Sequence, residues 1–104
     1  MLQITKERDG DEIEVKPGEC IQIELPENPT TGYRWQVHPP SNLLLELQGD
    51  TFESAGQASC GAGGTRQLRY CARSEGTTKI EMEYGRSWEK GPVDMFHLTV
   101  RVKK

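Results

Sequence analysis

The chain has no long apolar run, no dominance of one charge and few cysteines, and each shortage removes a class of function. Of its 104 residues 34% are hydrophobic, and no apolar stretch approaches the roughly 18 residues that cross a bilayer, so a membrane is not an expected partner. The N-terminal "MLQITKERDGDEIEV" lacks a basic head followed by an apolar signal core. As written, the chain is expected to remain in the cytoplasm where it is made, a periplasmic or secreted location requiring a leader removed from a longer precursor. Thirteen Lys and Arg are interspersed with 16 Asp and Glu for a net charge of −3, which leaves no basic stripe for nucleic acid. Cys20, Cys60 and Cys71 are an odd set whose spacing matches no zinc motif. They are too sparse for a disulfide scaffold, so reduced thiols are expected, and nothing implies a metal or other cofactor.

Helical periodicity is missing as well. Apolar residues recur at every second position, and no window sustains the i, i+3, i+4, i+7 spacing of an amphipathic helix. Ile13 and Val15 open the pattern. "CIQIEL" then puts Ile21, Ile23 and Leu25 on one face, and "YRWQV" does the same for Tyr33, Trp35 and Val37. "LLLEL", "QLRYCA", "KIEMEY" and "MFHLTVRV" continue it through Leu43–Leu47, Leu68–Ala72, Ile80–Tyr84 and Phe96–Val102. Segments rich in Gly, Pro, Asn and Ser separate these runs. About seven short, half-buried strands in a chain sized for one domain, residues 1–104, predict an all-β, immunoglobulin-like sandwich of two sheets. Cys20, Trp35 and Cys71 imitate the Cys, Trp, Cys framework of antibody domains, but both cysteines are out of phase with their apolar neighbours and should point away from the core. Trp35 reads simply as a core residue.

Three connections stand out. In "NPTTGY", Pro29 fixes its own φ and extends Asn28, Thr30 and Thr31 have few rotamers, and Gly32 permits a turn that a Cβ would forbid. Such a loop is stiff before it meets anything. In "GAGG", Gly61, Ala62, Gly63 and Gly64 offer at most one methyl, which suits either a flexible connection or a close backbone approach. In "RSW", Arg86, Ser87 and Trp88 place a tryptophan beside an arginine in a Gly-flanked turn, the composition of an interface anchor. Counting strands, these follow the second, fourth and sixth, and in a seven-stranded sandwich those connections emerge at one end.

With these motifs in this order the chain resembles the chagasin family of cysteine protease inhibitors. That family carries Asn-Pro-Thr-Thr-Gly-aromatic, Gly-x-Gly-Gly and Arg-Pro-aromatic; here they are Asn28 to Tyr33, Gly61 to Gly64, and Arg86 to Trp88. The similarity runs over nearly the whole chain, with one departure: Ser87 stands where the family has proline. The resemblance implies a monomeric, non-enzymatic inhibitor of papain-like proteases such as papain and cathepsin L-type enzymes. The first loop would enter the active-site cleft, with Thr31 and Gly32 nearest the catalytic thiol, while the other two grip its walls. The competing reading is an immunoglobulin-like adhesion or carbohydrate-binding module in which Trp88 stacks on a ligand ring. An enzyme built on Cys60 and His38 or His97 lacks an orienting third group at any recognisable spacing.

Overall fold

The computed structural model describes residues 2–28, 32–38, 44–54, 63–86 and 91–104. Its strands are β1 (Leu2–Thr5), β2 (Glu12–Val15), β3 (Cys20–Glu27), β4 (Arg34–His38), β5 (Leu45–Ser54), β6 (Gly64–Ala72), β7 (Gly76–Gly85) and β8 (Asp94–Val102). They form two four-stranded sheets ordered β1-β3-β6-β5 and β2-β8-β7-β4. β1 runs parallel to β3 and β2 parallel to β8, while the remaining pairs are antiparallel.

Alternation makes the core. Ile21, Ile23 and Leu25 of β3 and Leu68 and Tyr70 of β6 join Ile80, Met82, Phe96, Leu98 and Val100 of the other sheet in one apolar cluster. Each large side chain removed from water contributes about 1.5–3 kcal/mol, which is why a strand slipped by one residue is not tolerated.

Three expectations change. First, Leu2–Thr5 forms an eighth strand, which periodicity could not reveal because Ile4 is its one buried residue. Second, β5 starts at Leu45 and runs on to Ser54, and a register shift falls between Leu47 and Gly49. Leu47, on this edge strand, is 42% exposed instead of joining Leu45 in the core.

Third, Cys20 and Cys71 are not reduced thiols but form a disulfide. They do lie out of phase with the core, as parity requires, so the bridge is not the inter-sheet link of antibody domains. Yet they are direct partners in the β3–β6 ladder, and equal phase puts both on the same outer face. An odd cysteine count hid this pairing; Cys60 lies outside the described residues.

Candidate functional site

Strand register decides where the three connections meet. β3 ends with Glu27 opposite Gly64, the first residue of β6, and β5 ends with Ser54 opposite that same glycine. In the other sheet Arg34, the start of β4, pairs with Gly85, and Tyr84 pairs with Asp94 at the start of β8. The connections β3–β4, β5–β6 and β7–β8 therefore leave from one pole of the sandwich, as strand counting predicts. Pro29, Thr30, Thr31, Gly61, Ala62, Ser87 and Trp88 lie outside the described residues. Asn28, Gly32, Tyr33, Gly63, Gly64 and Arg86 are placed, and they come together.

The Asn28 N–H donates to the Tyr84 hydroxyl at 3.0 Å, tying the first loop to the strand that leads into the third. Gly32 has φ 86°, the left-handed region that disfavours a side chain. At Gly63 the choice between flexibility and close approach is resolved by distance. A Cβ there would lie 2.7 Å from the Glu27 carbonyl oxygen and 3.2 Å from Asn28 Cβ, so the backbone of the second loop abuts the base of the first.

An aromatic ladder links the other pair of loops. Trp35, buried at the start of β4, tilts against Tyr84 at 4.9 Å between centroids, and Tyr84 stacks on Tyr33 at 5.4 Å. The Arg86 guanidinium lies 4.2 Å over the Tyr33 ring. Such a contact contributes about 0.5–1 kcal/mol near a surface and holds the first residue of the third motif against the last of the first. Between the loop bases runs a groove of about 360 Å³, walled by Asn28, Gly63, Tyr84 and Asp94.

Beneath the pole sits a charged cluster that sequence reasoning missed. Glu27 is only 4% exposed. Its carboxylate accepts the Trp35 N–H at 2.8 Å and Arg66 Nη1 at 2.9 Å. Arg66 in turn donates Nη2 to Asp50 Oδ2 at 2.8 Å and Nε to Asp50 Oδ1. The hydrogen bond to Asp50 holds the Arg66 guanidinium above its ordinary pKa against the opposing effect of burial. A signal was available: Glu27 continues the inward phase of Ile21, Ile23 and Leu25, and Arg66 that of Leu68 and Tyr70. One charge of each sign therefore falls on a core-facing position.

Comparisons with known proteins agree with this architecture. The family model described as "Chagasin family peptidase inhibitor I42" matches residues 14–100. Chagasin of Trypanosoma cruzi is 29% identical over 106 residues, covering 97% of this chain and 96% of the relative. Amoebiasin-2 of Entamoeba histolytica is 31% identical over 101 residues, covering 95% and 81%. The crystal structure of a cysteine protease inhibitor from Entamoeba histolytica superposes with a TM-score of 0.88 at 25% identity, covering 98% of this chain and 95% of that one. With the motifs, the sandwich and the full-length matches in accord, the chain belongs to the chagasin family of cysteine protease inhibitors.

Proposed function

We propose that this chain inhibits papain-like cysteine proteases reversibly, by seating the pole of the sandwich in the active-site cleft. The observation that carries this reading is the register that brings Asn28, Gly32, Tyr33, Gly63, Gly64 and Arg86 to one end. The loop Asn28–Tyr33 is the wedge, with Thr31 and Gly32 over the catalytic thiol. Gly61–Gly64 and Arg86–Trp88 hold the cleft walls. No group of the inhibitor reacts; it covers the nucleophile.

Magnitudes favour a wedge that is shaped beforehand. Ordering six residues on binding costs roughly 6–12 kcal/mol. A nanomolar complex has only about 12 kcal/mol in all, so the opposing cost is comparable to the whole affinity, and stiffness from Pro29, Thr30 and Thr31 removes much of it in advance. Titration of papain and a cathepsin L-type enzyme tests the reading. Thr31→Tyr, which enlarges the wedge, and Trp88→Ala, which truncates an anchor worth about 2 kcal/mol or more, should both raise the inhibition constant. Unchanged constants for both variants would refute the assignment.

A further inference from the structure

The first loop leaves β3 and enters β4, and these strands belong to different sheets, so no ladder joins its two stems. What joins them is a pair of crossed hydrogen bonds. The Glu27 carboxylate on one stem accepts the backbone N–H of Trp35 on the other, and the Trp35 indole Nε1 donates back to the Pro26 carbonyl at 2.8 Å. Arg66 completes the neck by donating from Nη1 both to Glu27 and, at 3.3 Å, to the Trp35 carbonyl. Asp50 occupies the far edge of the guanidinium, so neither the buried Glu27 carboxylate nor the half-buried Arg66 guanidinium is left uncompensated.

We infer that Glu27 is a positioning residue for the first loop: a charged latch, balanced by Arg66, that sets the separation and angle of the loop's stems. The inference rests on the functional reading above and adds to it a residue outside all three motifs. Its physical basis is an energetic mismatch. Well-packed apolar residues in place of a buried ion pair often hold a fold as well or better, so stability is a weak reason for a carboxylate between the sheets. Directional acceptance of one particular backbone N–H is a stronger one, because an apolar side chain cannot specify where Trp35 sits as the chain enters β4.

Glu27→Gln keeps an acceptor but removes the charge, and Glu27→Met/Arg66→Met replaces the pair by apolar volume. For each full-length protein three quantities are measured: the thermal midpoint, amide exchange by NMR at Asn28, Gly32, Tyr33 and Arg34, and inhibition of papain. The double variant should melt within about 5 °C of the parent. Its exchange at those four amides should accelerate, and its inhibition constant rise, by about tenfold or more, the scale of losing one hydrogen bond to a charged group. Unchanged exchange and inhibition in the folded double variant would overturn the latch. So would acceleration spread evenly over the core strands, which marks a purely structural residue. If the parent protein fails to inhibit papain, the functional reading falls, while the exchange measurements still decide whether Glu27 sets the stems.

Discussion

Tyr70 lies wholly within the core, and its hydroxyl has no hydrogen-bond partner among the described residues. Burial pushes its pKa up to about 12, with Asp50 adding to the rise and Arg66 opposing it. The unfolded phenol ionises near 10, so between pH 10 and 12 the unfolded chain holds fewer protons than the folded one and stability falls with rising pH. Tyr70→Phe deletes an unsatisfied polar atom and this ionisation together. Urea unfolding should show the variant equal to the parent or up to about 1 kcal/mol more stable at pH 7, with a shallower alkaline decline. Gly63 gives the opposite case. Alanine there drives a methyl to 2.7 Å from the Glu27 carbonyl oxygen, and such overpacking costs about 1–3 kcal/mol. Because the contact lies at the pole, Gly63→Ala should weaken papain inhibition as well as lower the urea midpoint.

At the level of strands, legibility followed burial. Ile21, Ile23 and Leu25 announced β3 because each second residue faces the core, and the same held for β6, β7 and β8. β1 left too little trace, and β5 misled because its bulge and edge position expose Leu47. At the candidate site the motifs were legible as unusual turns, whereas of the charged cluster only the core phase of Glu27 and Arg66 could be read, and neither their pairing nor Asp50. A charge in core phase has meaning only once its partner across the register is known. The disulfide was hidden for the same reason: Cys20 and Cys71 are 51 residues apart in sequence and adjacent only through the β3–β6 pairing. Closing a loop of that length lowers the entropy of the unfolded chain by the equivalent of roughly 4 kcal/mol, less any residual structure in the unfolded state. Reduction, or Cys20→Ala/Cys71→Ala, should therefore lower the thermal midpoint by roughly 10–20 °C. The bridge joins the ends of β3 and β6 opposite those that carry the loops, on the order of 20 Å away along the strands. Papain inhibition by the folded, reduced protein at 25 °C should be unchanged, and loss of inhibition in proportion to thiol exposure would contradict that separation.

For the whole molecule, the sandwich acts as a handle that fixes the relation of three short segments. Two sheets with no ladder between them are joined at the pole by the Glu27–Trp35 neck and by the Asn28–Tyr84 hydrogen bond, while the stack from Trp35 through Tyr84 and Tyr33 to Arg86 ties the first loop to the third along one sheet. Each link is modest, at about 0.5–3 kcal/mol, but each restrains a different pair of segments. Cut free of this frame, the residues Asn28–Tyr33 keep the local stiffness of Pro29 and the threonines and lose the restraint on their ends. They also lose the second and third loops, whose binding would otherwise be unimolecular with the first. A synthetic peptide of residues 28–33 should then lose most of the roughly 12 kcal/mol of a nanomolar complex and inhibit papain no better than at about millimolar concentration. A peptide within tenfold of the intact chain would mean that the wedge needs no handle, and that the body of the protein serves something other than presenting it.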